Sequence, residues 1–288
     1  MISVVTTCWN ELETIGLWIN DIENQSEFPA EIIIVDNLST DGTLEILNSW
    51  KENFKKSKIK IISKKCSVSK GRDIAIKNSS FPFILSSDIG TRINNNWVKS
   101  FSLLIKKDPS LELVIGNYYF IRTHMSELTR NYDRLMKGER SNLNINSLGS
   151  NRNILYSREL YDKVGGMPTH LKFAGDDTYL SKRLIECSSN TNVINEPLVG
   201  WIRPIDKVGL YKEARAYGFG DGQISHMLSG KEDNLYNRLN ELIKILFYGF
   251  MKIIKYSVFW NWILLLCIHS RRTFIYFVAK QKGMKQKC

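Results

Sequence analysis

Short apolar runs alternate with stretches of helical periodicity over the first part of the chain. The runs are rich in β-branched and large apolar side chains and lie at residues 2–7, 31–36, 59–62 and 83–86. Apolar side chains recur at helical spacing over residues 11–23, 43–50, 70–78 and 96–106. This alternation predicts an α/β fold with a mostly parallel central sheet and helices on both of its faces.

The pattern weakens in the middle of the chain and then resumes. Residues 112–121 predict a further strand, whereas residues 126–150 are polar, rich in Asn and Arg, and predict a loop or mobile helix over a site. Residues 153–156 read as extended and residues 176–185 as helical. We therefore expect one large domain over residues 1–232.

From Leu239 onward the pattern is that of a basic amphipathic helix, followed by an almost uncharged run at residues 256–268 that contains Trp260 and Trp262. That run is shorter than the roughly 20 apolar residues of a spanning helix. Residues 233–288 are therefore expected to form helices that lie in a membrane surface. The alternative is that they form an oligomer interface or pack on the body of the protein.

The charge of the chain is concentrated in this tail. The net charge is +11, and residues 235–288 hold ten basic residues against the single acid Glu241. A basic apolar tail on a nearly neutral body favours an anionic membrane as partner and argues against nucleic acid. Oligomeric state is left open.

Cysteine usage and the N-terminus indicate the compartment. The five cysteines are odd in number and lack Cys-x-x-Cys spacing, which argues against a disulfide framework or a zinc site and favours a reducing environment. The N-terminus has neither a basic segment nor a long apolar one, so no signal peptide is expected. We predict a cytoplasmic protein, peripheral on the inner face of the cell membrane.

The run at residues 81–92 ends a strand at a carboxylate, Asp88, followed by Ile89 and Gly90. Ligands of open α/β sheets bind beyond the carboxyl ends of the strands, and Mg²⁺ often takes only one or two protein carboxylates. Asp88 is therefore a candidate metal ligand. Taken alone, an aspartate that caps a turn explains the position equally simply.

Five motifs occur along the chain in one order: Thr7-Cys8-Trp9-Asn10-Glu11, Val35-Asp36 with Ser39-Thr40-Asp41-Gly42-Thr43, Lys70-Gly71-Arg72, Ser87-Asp88-Ile89-Gly90 and Ala174-Gly175-Asp176-Asp177. Over residues 1–220 this set resembles the nucleotide-sugar-binding half of family-two glycosyltransferases, which have the GT-A fold. The stretch from Ser86 to Arg92 resembles a variant of the family's metal motif found in enzymes that assemble bacterial surface polysaccharides.

The resemblance implies which residues bind the donor. Thr7 and Asp36 match positions that hold the nucleoside, and Asn37 stands where many members have a second Asp. Arg72 matches a donor-binding arginine, and Arg203 lies in a segment that resembles the one closing over the pyrophosphate. The donor-binding set that the resemblance implies is Thr7, Glu11, Asp36, Asn37, Arg72, Ser87, Asp88 and Arg203.

The resemblance also implies a metal and a base. Asp88 matches the first Asp of an Asp-x-Asp motif, with Gly90 at the second, so Asp88 is the expected ligand of Mg²⁺ or Mn²⁺. Asp176 and Asp177 resemble the acidic pair near the acceptor, and Asp177 is the expected base of an inverting transfer. Capping of a helix N-terminus is the plain alternative for this pair.

The sequence therefore predicts an inverting glycosyltransferase that moves a sugar from a nucleoside diphosphate donor, UDP-linked, to a hydroxyl of a saccharide or lipid-linked acceptor. Two alternatives remain open: a non-catalytic, membrane-associated nucleotide-sugar-binding module, for which Gly90 is the main argument, and a nucleotidyltransferase. Glycines 218, 220 and 222 are consistent with the hinge of a lid, although a helix terminus would explain one of them.

Overall fold

The computed structural model describes residues 1–171, 174–229, 235–256 and 262–285. Within them the first strands and helices alternate as the pattern predicts. The strands are β1 (Ile2–Cys8), β2 (Glu31–Asp36), β3 (Lys58–Ser63), β4 (Phe83–Ser86), β5 (Thr91–Ile93), β6 (Leu113–Ile121), β7 (Ile154–Ser157) and β8 (Thr191–Ile202). The helices are α1 (Leu12–Glu23), α2 (Thr43–Asn53), α3 (Val68–Lys77), α4 (Trp97–Lys107), α5 (Glu127–Lys137), α6 (Arg158–Lys163), α7 (Asp176–Cys187), α8 (Lys207–Ser229), α9 (Leu235–Tyr256) and α10 (Trp262–Lys285).

In the described residues, eight strands form one mixed sheet in the order β3-β2-β1-β4-β7-β6-β8-β5. The pairs among β1, β2, β3 and β4 are parallel, whereas β7 is antiparallel to both β4 and β6, and β5 is antiparallel to β8. The prediction of an α/β fold with a mostly parallel sheet is confirmed for the half that carries the motifs. The antiparallel strands complete the other half.

Both faces of the sheet are covered. One apolar cluster joins β1 and β2 to α1, α2 and α4 through side chains such as Trp18, Leu47 and Phe101. The other joins the opposite face to α3, α6 and α7 through Ile76, Leu160 and Leu180. β2 lies between two such layers, and all six of its residues are buried, in agreement with its central run of four apolar residues.

The chain packs as two compact units. The first comprises residues 1–120, 140–172 and 176–202, and the second residues 121–139, 173–175 and 203–288. The predicted boundary between residues 232 and 233 lies outside the described residues. This division differs from the predicted one because α5 and α8 pack with α9 and α10 in the second unit.

Glycines on α8 explain how the second unit packs. An added Cβ at Gly218 would lie 2.2 Å from the carbonyl oxygen of Tyr276, and one at Gly222 would lie 2.1 Å from that of Lys280. These glycines lie within one continuous helix and let α10 approach its backbone. The interpretation of this segment as a lid hinge is therefore wrong.

Candidate functional site

A cavity of about 340 Å³ opens at the carboxyl ends of the parallel strands of the first unit. Its wall is made by the ends of β1 and β2, the start of α3, the turn after β4 and two residues from the antiparallel half. The lining residues are Thr7, Cys8, Trp9, Glu11, Val35, Asn37, Cys66, Ser67, Val68, Gly71, Arg72, Asp88, Ile89, Gly90, Thr91, Arg152 and Trp201.

The loops after β1 and β2 are held together by paired hydrogen bonds. The backbone N–H of Asn10 donates to Ser39 Oγ at 2.9 Å, and that of Thr40 donates to Asn10 Oδ1 at 2.9 Å. The N–H of Leu12 donates to Asp41 Oδ2 at 3.0 Å. Asn10 has a φ of 54°, an unusual conformation for a residue with a side chain, and these bonds hold it there. The Ser-Thr-Asp-Gly-Thr motif thus fixes one wall of the cavity.

Asp36 is buried behind the cavity wall and stabilises the turn that follows β2. Its side chain is fully buried and accepts from the Ser39 N–H at 3.1 Å and from Ser63 Oγ at 3.0 Å. Its neighbour Asn37 lines the cavity, and Asn37 Oδ1 accepts from the N–H of Cys66 at 2.8 Å. Asn37 is therefore the side chain of this pair that is placed to meet a ligand.

Arg72 is the central cation of the site. Gly71 lets α3 approach β1 closely, because an added Cβ there would lie 2.8 Å from Thr7 Cγ2. The buried guanidinium of Arg72 binds Asp88 Oδ1 through Nη2 at 2.6 Å and Asp176 Oδ2 through Nη1. Burial alone would lower the pKa of Arg72, but Asp176 and Asp88 raise it, so the guanidinium stays charged.

Arg152 is a second cation that the sequence analysis missed. Its guanidinium lies 3.7 Å from the ring centroid of Trp201, its Nε lies 3.7 Å from Asp88 Oδ2, and its Nη1 lies 4.0 Å from Asp177 Oδ2. It comes from the irregular stretch before β7, where no periodicity marks it. Nothing in the local sequence distinguishes it from the other arginines of that stretch.

The acids of the site differ in their surroundings. Burial would raise the pKa of Asp88, but Arg72 and Arg152 outweigh it and lower the pKa. Burial raises the pKa of Asp176 despite Arg72, and the charge of Asp177 raises it further. Burial also raises the pKa of Glu11, which lines the cavity and accepts from Thr14 Oγ1 at 2.6 Å.

Asp176 and Asp177 begin α7 but face different partners. Asp176 is 4% exposed and is held by Arg72 and, at 3.5 Å, by Asn151 Nδ2. The side chain of Asp177 is 23% exposed, and its Oδ1 accepts from the N–H of Thr178 at 2.9 Å. Asp176 therefore positions Arg72, and Asp177 is the more accessible carboxylate.

Two other expected donor-binding residues have internal partners. Ser87 is fully buried and accepts from Trp18 Nε1 at 3.1 Å. Arg203 lies in the second unit with a fully buried side chain, where Asp133 Oδ1 and Glu213 Oε2 each lie 2.8 Å from its Nη2. Although burial raises the pKa of Glu213, Lys137 and Arg203 lower it to about 2.

The expectation that Arg203 binds the pyrophosphate is corrected by this geometry. Its guanidinium is neutralised by two buried carboxylates, which form a structural charge cluster. Removing one partner of such a cluster is destabilising, so the buried position of Arg203 is explained by its contribution to the stability of the fold.

Asp88, the carboxylate that the sequence analysis assigned to a divalent ion, lines the cavity. No group of three or more His, Cys, Asp and Glu side chains suited to a metal occurs in the part of the chain that the structure describes. Mg²⁺, however, commonly takes one or two carboxylates and completes its shell with substrate phosphates and water. Asp88 Oδ1 binds Arg72 at 2.6 Å and its Oδ2 lies 3.7 Å from Arg152, so the assignment of a metal to this carboxylate stays a prediction.

Comparison with known proteins agrees with the fold and the motifs. The family model described as glycosyl transferase family 2 matches residues 3–165. Glycosyltransferase AglE of Haloferax volcanii is 24% identical over 229 residues, which are 77% of this chain and 73% of that protein.

Two solved structures share the fold. Mannosyltransferase PcManGT from Pyrobaculum calidifontis, in complex with GDP-Man and Mn²⁺, aligns with a TM-score of 0.67 and 14% identity over 99% of this chain and 87% of that one. S. aureus TarS 1-349 in complex with UDP-GlcNAc aligns with a TM-score of 0.58 and 17% identity over 99% and 92%. With more than half of its length matched by the family model, the chain belongs to glycosyl transferase family 2 and is a glycosyltransferase.

Proposed function

We propose that this glycosyltransferase moves a sugar from a nucleoside diphosphate donor, UDP-linked, to a hydroxyl of a saccharide or lipid-linked saccharide with inversion at the anomeric carbon. The observation that carries the proposal is the cavity in which Arg72 and Arg152 lie between Asp88 and the acids of α7. Its motifs resemble those of enzymes that build bacterial surface polysaccharides, which supports a role in the assembly of such a polysaccharide.

The donor binds along the strand ends. Thr7, Glu11 and Asn37 line the part of the cavity assigned to the nucleoside, and Asp36 holds the turn that presents Asn37. As the glycosidic bond breaks, the nucleoside diphosphate gathers negative charge, and Arg72 and Arg152 provide fixed positive charge beside it.

Asp88 would hold Mg²⁺ or Mn²⁺. A divalent ion there supplies additional positive charge to the diphosphate. The neighbour bound to GDP-Man and Mn²⁺ supports this assignment.

Asp177 is the proposed base. In an inverting transfer a carboxylate takes the proton of the attacking hydroxyl on the face opposite the leaving group. Asp177 is accessible at the start of α7, whereas Asp176 is buried against Arg72. Asp177 can therefore reach an acceptor while Asp176 keeps Arg72 in place.

Donor turnover tests the reaction class. The chain is incubated with UDP-sugars and, separately, with nucleoside triphosphates. Slow release of UDP from the sugar donor is the expected result. Release of pyrophosphate from a triphosphate would instead indicate a nucleotidyltransferase, and the absence of both would indicate the binding module.

We further propose that α9 attaches the protein to the cytoplasmic face of an anionic membrane. In the described residues no helix is both long and apolar enough to cross a bilayer. Ile243, Phe247 and Ile254, which recur at helical spacing on α9, are each at least half exposed, and Lys244 and Lys252 lie on the same helix. Exposed apolar stripes are rare on monomeric soluble proteins, and each basic residue near an anionic surface contributes about 1 kcal/mol. Trp260, which the sequence analysis assigned to this surface, lies outside the described residues.

Flotation of the intact chain with vesicles tests the membrane proposal. Phe247→Ser should reduce flotation with phosphatidylserine vesicles, because it removes an exposed aromatic side chain from the inserting stripe. Leu103→Ser on α4 is the matched control, since Leu103 is similarly exposed but lies in the first unit. Equal flotation of all three proteins, or none of the wild type, would refute the attachment.

A further inference from the structure

An aromatic ridge extends from the cavity along the antiparallel half of the sheet. Tyr118 and Phe120 stand two residues apart on β6, and Trp201 lies on the neighbouring strand β8. The ring centroids of Tyr118 and Trp201 are 6.1 Å apart, those of Phe120 and Trp201 5.7 Å, and those of Tyr118 and Phe120 5.8 Å. All three rings are only partly buried, whereas the first five residues of β6 are buried. The aromatic end of the strand therefore offers ring surface to a ligand.

A guanidinium stacks on each end of the ridge. Arg152 lies over Trp201 at 3.7 Å from its centroid, and Arg140 lies over Tyr118 at 4.3 Å. A guanidinium held over a ring face retains N–H groups at its edge that can bind an anion, in bidentate geometry where the anion has two oxygens.

The two arginines differ in the carboxylates that lie near them. Arg152 is near Asp88 and Asp177. Arg140 donates to the carbonyl oxygen of Leu148 at 2.9 Å, and no carboxylate lies within ion-pair distance of it among the residues that the structure describes. Its Nη1 is buried, and no hydrogen-bond acceptor for it occurs in that same part of the chain.

The charge of Arg140 is therefore uncompensated. Burial lowers its pKa, Tyr118 opposes this effect, and the positive charge of Arg152 lowers the pKa further. Arg152 faces Asp88 and Asp177, so Arg140 is the cation of this pair that a bound anion would stabilise. Packing of the rings alone does not account for a cation at this place.

We propose that this ridge and its two guanidiniums form the acceptor subsite, and that the acceptor is a saccharide that carries an anionic group, a uronate carboxylate or a phosphate ester. The proposal rests on the proposed function, because it places the acceptor next to Asp177 by way of Arg152. The sugar rings stack on the aromatic ridge, and the anionic group binds at Arg140.

Binding of defined oligosaccharides tests the proposal. The probes are three matched oligosaccharides, one neutral, one with a uronate and one with a phosphate monoester, titrated by calorimetry into the intact chain in the presence of UDP. We expect at least one acidic probe to bind more tightly than the neutral one, and the comparison of uronate with phosphate identifies the anion. Arg140→Gln should weaken acidic-probe binding about tenfold or more, since hydrogen bonds to charged groups are worth about 1.5–3 kcal/mol.

Two further variants separate charge from structure. Arg140→Lys keeps the charge but loses the planar stack and should retain part of the preference for acidic probes. Arg183→Gln removes an arginine of the first unit that pairs on the surface with Glu186 at 3.2 Å, and should leave the preference unchanged.

Several results would overturn the proposal. These are equal binding of neutral and acidic probes by the wild type, no binding of either acidic probe at millimolar concentration, and a loss of UDP affinity in Arg140→Gln as large as the loss of acidic-probe affinity. The last result would place Arg140 in the donor site. Hydrolysis of UDP-sugars by the same preparation separates the two hypotheses, because hydrolysis without a preference for acidic probes refutes only the acceptor assignment.

Discussion

Replacing Arg72 by methionine should destabilise the protein more than any exposed arginine replacement. The guanidinium holds Asp88 through one nitrogen and Asp176 through another, and its own side chain is 8% exposed. The variant leaves both carboxylates without this partner. Because the Asp176 side chain is 5% exposed and that of Asp88 is 25% exposed, most of the penalty should come from Asp176.

The expected loss is about 3–5 kcal/mol of unfolding free energy, the usual cost of breaking a buried ion pair from one side. This is a large fraction of a typical stability of about 5–15 kcal/mol. The double variant Arg72→Met/Asp176→Asn should recover part of the loss, because the uncompensated carboxylate is then neutral. Arg183→Gln, which breaks only an exposed pair, should cost between about 0 and 1 kcal/mol.

The loss should depend on pH in a definite direction. In the wild type, Arg72 and Arg152 outweigh burial and lower the pKa of Asp88, so this group contributes stability above its unfolded pKa of about 3.9, which is lost as the pH falls through the folded pKa. Without Arg72, burial raises the pKa values of both carboxyls. The folded variant then takes up protons more readily than the folded wild type, and the difference in stability should shrink as the pH falls from neutral.

Urea unfolding of the four proteins at neutral and at mildly acidic pH measures these quantities. A loss below about 1 kcal/mol for Arg72→Met, in the range of a surface pair, would refute the assignment of Arg72 as a buried bridge. A loss of unfolding free energy that stays constant with pH would show that the unpaired carboxylates are not the cause of the destabilisation.

The remaining predictions concern catalysis, the metal and the packing of the second unit. Asp177→Asn should lower the transfer rate by about 10² to 10⁴ with nearly unchanged nucleotide affinity, and wild-type turnover with a proven acceptor would exclude this residue as the base. Asp88→Asn should remove the part of UDP affinity that depends on Mg²⁺ or Mn²⁺, and equal calorimetric affinities of the wild type with metal and with chelator would contradict the metal assignment. Gly222→Ala should cost about 1–3 kcal/mol in a thermal or urea melt because its Cβ meets α10, whereas Gly16→Ala, with open space around it, should be neutral or stabilising.

The sequence predicts the parallel half of the sheet well because each strand there carries its own signal. β2 has four consecutive apolar residues and ends at a carboxylate, and α1 repeats apolar residues at helical spacing. β5 has only three residues, too few to show a period, and β8 includes a polar, partly exposed stretch with a proline. These strands are defined by their antiparallel partners, which are remote in sequence.

Prediction of the site residues from the sequence has the same limit, because contacts between distant segments leave no local signal. Asp88 could be found because it follows a strand, and the acids of α7 because they resemble the family's acidic pair. Arg203 was assigned to the pyrophosphate because its neighbours resemble a known segment, yet its guanidinium is paired with Asp133 and Glu213. Whether an arginine faces a ligand or a buried carboxylate depends on contacts between distant segments, which periodicity does not encode.

Gly90 and Arg152 together suggest how the charge of the site is balanced. The family motif has a second acid where this chain has Gly90, whose φ is 54° and whose Cβ position faces open space. The cavity therefore lacks one negative charge of that motif, and Arg152 places a positive charge 3.7 Å from the remaining carboxylate, Asp88. Under the proposed function, Arg72 and Arg152 would supply positive charge to the diphosphate, and an ion on Asp88 would add to it. For this reason Asp88→Asn should remove only the metal-dependent part of nucleotide affinity, while the part supplied by the two arginines remains.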